Sequence, residues 1–93
     1  MADLNAVAKR LHNVSPDPVE LTFDDGSTGV FRLDWTEFFQ REFRAEGCRD
    51  DVDDDATYRF VTSEDNERVL VARRESEDDD WSVVGSVVEA SAA

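Results

Sequence analysis

Two side chains in the sequence could act as a nucleophile or a general base, because the chain contains a single histidine, His12, and a single cysteine, Cys48. Nucleophilic catalysis requires a base beside the nucleophile. His12 lies near the end of a short predicted helix, and Cys48 precedes a run of aspartates whose charge disfavours a thiolate. The sequence therefore predicts no catalytic residue and no cofactor, and it favours a protein that is not an enzyme.

An acidic segment contains the candidates for a metal site. Asp51, Asp53 and Asp55 have the D-x-D-x-D spacing of a calcium loop. Such a loop requires glycine at its sixth position and glutamate at its twelfth, where this sequence has Ala56 and Thr62. The pattern therefore favours a solvated acidic loop, and the three aspartates are only weak metal candidates.

The strongest signal in the sequence is its charge. Its 23 acidic residues outnumber its 10 basic residues, which gives a formal net charge of −13, and every base except Lys9 is an arginine. This balance resembles that of cytoplasmic proteins from halophiles that accumulate salt, the haloarchaea in particular. The resemblance implies that the acidic surface is an adaptation to concentrated salt, so the acidity says nothing about a binding partner.

The same charge predicts that folding depends on salt. At low ionic strength the carboxylates repel one another, whereas in molar salt the Debye length falls to about 3 Å and the repulsion is screened. We expect folding to be lost at about 0.05 M salt and recovered in molar salt, as measured by the dispersion of the NMR spectrum. A well-dispersed spectrum at the lower salt concentration would contradict this prediction.

The sequence contains no feature that directs it out of the cytoplasm. Its first residues lack the positive and apolar regions of a signal peptide, and no stretch has the ~18 consecutive apolar residues of a membrane span. A single cysteine excludes an internal disulfide and fits a reducing compartment. We therefore predict a cytoplasmic protein without membrane contact, with a single domain over residues 1–93 and a frayed tail at 90–93.

The first elements follow from the spacing of apolar residues. A stripe at three- and four-residue intervals predicts an amphipathic helix over residues 3–14, which ends at the two prolines of residues 15–18. Alternating apolar residues then predict a hairpin over residues 19–33. A three-residue turn with Gly26 left-handed keeps the large side chains on one face and pairs Val19 with Phe31.

A second helix is predicted over residues 34–47. Asp34 and Glu37 have the spacing of a capping box, and Gly47 suits a left-handed C-terminal stop. A wide aromatic stripe at helical spacing comprises Trp35, Phe38, Phe39 and Phe43.

Three further strands are predicted within residues 58–62, 69–72 and 81–89, separated by polar and acidic turns. The resulting order is α-β-β-α-β-β-β with short connections. This order predicts an α+β fold, in which two helices pack on one face of a mostly antiparallel five-stranded sheet to form two layers.

The face of that sheet opposite the helices is the predicted interaction face. Its residues are Val30, Arg32, Arg59, Val61, Arg68, Leu70, Arg74, Val84 and Val88. A face that combines arginines with so many aliphatic side chains seldom stays open in a soluble monomer. The alternative is that the arginines pair with glutamates on neighbouring strands and cover the aliphatic side chains with their stems.

Two hypotheses of function follow from the predicted interaction face. The first is a non-catalytic protein-interaction or regulatory domain that binds another protein or a second copy of the chain. The second is a regulator that binds nucleic acid through the same arginines. The second is less favoured, because Tyr58 and Phe60 are predicted to face the helices and cannot provide the stacking platform of single-strand binders.

Overall fold

The computed structural model describes residues 5–15, 17–40, 42–51, 55–65 and 67–93. The elements in these ranges are α1 (Ala6–Val14), β1 (Val19–Phe23), β2 (Thr28–Phe39), β3 (Glu42–Arg49), β4 (Thr57–Thr62), β5 (Val69–Arg74) and β6 (Ser82–Ala92). The strands form a closed barrel in which each strand pairs antiparallel with the next and β6 pairs with β1. The predicted two-layer α+β fold with two helices and five strands is therefore wrong.

The β1–β2 hairpin has the predicted register. Val19 is the Cα partner of Phe31. Gly26 adopts a left-handed φ of 87° and donates its backbone N–H to the carbonyl oxygen of Phe23. Because a three-residue turn keeps residues of one parity on one face, the apolar alternation was sufficient to predict this hairpin.

The second predicted helix is instead the rest of β2, a tight turn and β3. The chain reverses at Gln40, which has a left-handed φ of 57°. Phe38 and Phe43 are Cα partners with ring centroids 5.1 Å apart, so aromatic residues at helical spacing meet as a cross-strand pair. The capping box does not form, because Asp34 and Glu37 both lie within β2.

An irregularity in β2 changes the parity of the inward-facing residues. The register of β2 against β3 shifts between Leu33 and Trp35, and beyond the shift the even-numbered Phe38 packs against the core. Gly47 pairs with Leu33 at this point. A Cβ on Gly47 would collide with the carbonyl oxygen of Arg32 and lie 2.8 Å from the Cα of Leu33. Glycine is therefore needed for close approach of two strands, and the predicted role of Gly47 as a helix stop is wrong.

Side chains fill the barrel and form the core. Its largest members are Phe31, Phe43 and Phe60, each no more than 1% exposed. Helix α1 packs against β2 and β6 and buries Ala8 and Leu11 in the same cluster. The helix therefore contributes to a core that the strands surround, rather than covering one face of an open sheet.

The last three predicted strands are confirmed in position, but β6 runs further than expected. Ala90 is the Cα partner of Leu21 in β1 and is only 8% exposed. The tail that was predicted to be frayed is therefore the strand segment that closes the barrel. In the described strands, closure turns the apolar face of the sheet into the interior of the barrel, so no second layer of helices is needed to cover that face.

Candidate functional site

Closure of the barrel divides the predicted interaction face. Its nine residues are Val30 and Arg32 on β2, Arg59 and Val61 on β4, Arg68 just before β5, Leu70 and Arg74 on β5, and Val84 and Val88 on β6. An open sheet has one face away from its helices, whereas the exterior of a barrel curves through a full turn. Two strands, β1 and β6, separate β2 from β5 on one side, and β3 separates β2 from β4 on the other. The predicted residues on β2, Val30 and Arg32, therefore lie on a strand that is not adjacent to β4 or β5.

Some of these residues do lie together on the outer wall of β4 and β5. Val61 and Leu70 are Cα partners, and both are half-buried. Arg59 is the Cα partner of Ala72, and Ala72 is in turn the partner of Val83 on β6. Val83 is 70% exposed. The wall therefore combines a half-buried aliphatic pair with a neighbouring arginine and an exposed valine.

Trp81 organises this wall. The guanidinium carbons of Arg59 and Arg74 each lie 4.4 Å from its ring centre. These cation–π contacts connect β4, β5 and the residue that leads into β6. We define the Trp81 patch as the surface formed by Arg59, Val61, Leu70, Ala72, Arg74, Trp81 and Val83.

The sequence reasoning missed the role of Trp81, because it placed this residue at the start of a strand without a partner. The available signal was a large aromatic residue directly after the acidic run of residues 77–80. Side chains of this size bury much of their surface, so a tryptophan beside a solvated run needs a covering contact. Arg59 and Arg74 supply it here.

An ion pair borders the Trp81 patch on the β3 side. Arg59 donates from Nη2 to Oε2 of Glu46 at 2.6 Å. Glu46 is the Cα partner of Trp35, which is 42% exposed and lines a groove together with Arg44 and Val61. The patch therefore continues into a groove that mixes apolar and charged side chains.

The end of the barrel at which β1 finishes contains a second candidate site. A cavity of 220 Å³ there is lined by Phe23, Ser27, Phe31, Arg49, Tyr58, Arg73 and Val84. Arg49 donates to Asp51 from Nε at 2.7 Å and from Nη2 at 3.3 Å. This hydrogen bonding raises the pKa of Arg49 and lowers the pKa of Asp51. Both groups are therefore charged at neutral pH.

The two residues considered for catalysis have separate surroundings. Nδ1 of His12 lies 2.7 Å from Oγ1 of Thr36, in a hydrogen bond to β2. Cys48 lies on β3 as the Cα partner of Arg32. Their contacts therefore do not join them in a nucleophile–base pair.

The structure describes two of the three weak metal candidates. Asp51 accepts hydrogen bonds from Arg49, and Asp55 is exposed. Asp53 lies outside the described residues. Within the ranges that the structure describes, no group of three or more histidine, cysteine, aspartate or glutamate side chains could hold a metal ion.

Comparison with known proteins identifies a family but no named relative. Over residues 1–93 the chain matches the model of a family described as a domain of unknown function (DUF8072). No curated protein and no solved structure matches the chain. In the described part of the chain, no helix has the length and apolar character needed to span a membrane.

Proposed function

The chain belongs to the DUF8072 family, and we propose that this member is a non-catalytic interaction domain whose Trp81 patch binds an acidic segment of another protein. One observation carries the proposal. Two arginines from different strands stack on one tryptophan at the outer wall of the barrel, with both guanidinium carbons 4.4 Å from the ring centre. The Trp81 patch takes the place of the larger predicted interaction face as the binding surface.

The residue types of the patch support a protein partner. Tryptophan and arginine are enriched among the residues that contribute most to binding energy at protein interfaces. The stacking contacts hold Trp81 and its two arginines in place, so these side chains lose less freedom when a partner binds. Val83, which is 70% exposed, and the half-buried Leu70 add apolar area beside them.

The charge of the patch selects the kind of partner. A cation–π contact uses the face of a guanidinium, so N–H groups along its edge can still donate to carboxylates. On Arg59 the Nε and Nη2 groups already donate to Glu46, so a partner's carboxylate would bind at Nη1. A symmetric dimer would bring Arg59 and Arg74 of one copy against those of the other. The repulsion due to the net charge is screened beyond about 8 Å at physiological salt, so the arginines of the patch determine which partner the patch attracts. An acidic segment with aliphatic side chains complements the patch better than a second copy does.

Nucleic acid is the second candidate partner, because Trp81 places an aromatic ring beside arginines on the barrel exterior. Tyr58 and Phe60 lie in the core as predicted, at 5% and 0% exposure. Proteins that bind single strands stack successive bases on several aromatic side chains. The Trp81 patch offers one such ring, already in contact with two guanidiniums, and the adjoining groove adds Trp35. Two rings provide less than the run of stacking side chains that single-strand binders use, so a protein partner is favoured.

Binding can be followed by the fluorescence of Trp81 in the Trp35→Phe variant, which retains a single tryptophan. We expect a short peptide of alternating glutamate and leucine to shift the emission saturably. A peptide with glutamine in place of glutamate should bind at least about tenfold more weakly, because it loses charge-assisted hydrogen bonds to the arginines.

The matched variants are Arg74→Gln and Arg32→Gln, both made in the Trp35→Phe background. Arg74→Gln should weaken peptide binding by about tenfold. Arg32→Gln should leave it unchanged, because Arg32 lies on β2, outside the Trp81 patch, and pairs with Asp50 at 3.5 Å. Saturation by single-stranded DNA but not by the peptide would assign the patch to nucleic acid. Mass that rises with protein concentration would assign it to a second copy, and no shift with any ligand would refute the binding surface.

A further inference from the structure

The cavity at the end of the barrel where β1 finishes has the composition of a ligand site. It joins apolar rings to two arginines that come from different strands, Arg49 from β3 and Arg73 from β5. Its volume of 220 Å³ lies below the roughly 300–1,000 Å³ that is common for sites of drug-sized ligands. The cavity therefore suits a smaller molecule.

Packed aromatic rings lie beneath this cavity. Phe31 is only 1% exposed and meets the rings of Phe23 and Tyr58 edge-on, with centroids 5.9 and 5.0 Å away. Tyr58 is 5% exposed, whereas Val84 at the rim is 50% exposed. The guanidinium carbon of Arg49 lies 5.7 Å from the centre of the Phe31 ring, so the apolar surface open to a ligand is that of Phe23 and Val84. An apolar body placed against these two side chains is removed from water.

The arginines of the cavity are held by acidic residues two positions further along the chain. Arg49 pairs with Asp51 at 2.7 Å, and Arg73 pairs with Glu75 at 3.3 Å. Nη2 of Arg49 also donates to the carbonyl oxygen of Thr28 at 3.3 Å. These contacts orient the two planar guanidiniums. A guanidinium has five N–H donors, so it can form hydrogen bonds to a bound anion in addition to these contacts.

We propose that this cavity binds a small molecule that carries one carboxylate on an aromatic or branched apolar body. Arg49 and Arg73 recognise the carboxylate, because guanidinium N–H groups form charge-assisted hydrogen bonds with carboxylate oxygens. The apolar body rests against Phe23 and Val84, the more exposed apolar residues of the lining. A fully hydrated inorganic anion is disfavoured, since the apolar side chains of the lining cannot replace its water. The site shares no residue with the Trp81 patch, so its test is independent of the proposed function.

Benzoate is the test ligand, titrated into isotope-labelled protein at constant ionic strength and followed by NMR. We expect saturable shifts at Phe23, Tyr58 and Val84. Benzyl alcohol retains the ring but lacks the carboxylate, and inorganic phosphate retains the charge but lacks the ring. Each should bind at least about tenfold more weakly than benzoate, because each loses one of the two contributions.

Arg73→Gln should weaken benzoate binding by about tenfold. Arg44→Gln is its control and should leave binding unchanged, because Arg44 also pairs with an acid two residues away, Glu42 at 3.1 Å, but lies outside the cavity. The proposal is overturned if benzyl alcohol or phosphate binds as tightly as benzoate, or if the shifts are unsaturable or map elsewhere. Wild-type affinity in Arg73→Gln would overturn it as well. The comparison of the three ligands on the native protein tests the proposed site even where a variant folds poorly.

Discussion

Replacing Gly47 by alanine is expected to destabilise the barrel by about 3 kcal/mol or more, the upper part of the range for overpacking. The new Cβ would collide with the carbonyl oxygen of Arg32 and lie 2.8 Å from the Cα of Leu33. Both atoms belong to the backbone of β2, which cannot rotate aside as a side chain can. Relief requires β2 and β3 to separate where their register already shifts. Chemical denaturation measures the loss, which is large against a total stability of about 5–15 kcal/mol.

Gly26→Ala is the control for this prediction. Gly26 has a φ of 87°, but a Cβ there would meet no atom within 4 Å. Its cost is therefore that of the left-handed conformation alone, about 1–2 kcal/mol. If Gly47→Ala changed the free energy of unfolding by less than about 0.5 kcal/mol, or by less than Gly26→Ala does, close approach of β2 and β3 would not be the constraint on Gly47.

Replacing Leu70 by aspartate is expected to abolish binding at the Trp81 patch while the barrel stays folded. Leu70 is half-buried on the outer wall as the Cα partner of Val61, so a partner that covers the patch also covers position 70. An unpaired carboxylate buried there costs several kcal/mol and also repels an acidic partner, which predicts a loss of at least about 100-fold in peptide affinity. Peptide titration and chemical denaturation on the same variant measure the two effects separately.

Val30→Asp is the matched control, because Val30 is also a half-buried aliphatic residue on the barrel exterior but lies on β2 as the partner of Glu20. It should retain peptide binding. Loss of binding in both variants would point to charge repulsion in general rather than to the Trp81 patch. General unfolding of Leu70→Asp would mean that Leu70 belongs to the core, and unchanged binding would exclude position 70 from the interface.

The sequence was sufficient to predict those elements whose structure is determined by neighbouring residues. Helix α1 follows from one apolar stripe, and Asn5 caps it by accepting from the backbone N–H of Val7 and Ala8. The β1–β2 hairpin follows from alternation and turn length, because a shift of one residue would move every apolar side chain to the wrong face. The same alternation indicated that Arg59 and Leu70 point away from the core.

The segment of residues 34–47 shows where local reasoning fails. Phe38 and Phe43 fit one stripe of a helix, yet they also fit a cross-strand pair beside a turn. Pairing of β3 with β4 decides between the two, because a strand at this position completes the barrel and a helix would leave two edges open. That contribution to stability comes from residues distant in the chain, so no local pattern reports it.

The candidate sites also depend on pairing between strands that are distant in the chain. The sequence alone determined the acidic charge, the first hairpin and the outward direction of several arginines. Which outward residues become neighbours was decided by the pairing of the strands and by the closing of β6 onto β1. The strand β3 lies between Arg32 on β2 and Arg59 on β4, whereas the pairing of β4 with β5 and of β5 with β6 brings Arg59 and Arg74 to Trp81. The physical reason is that alternation sets the direction of each side chain within its own strand, whereas strand order and barrel curvature set the distances between strands.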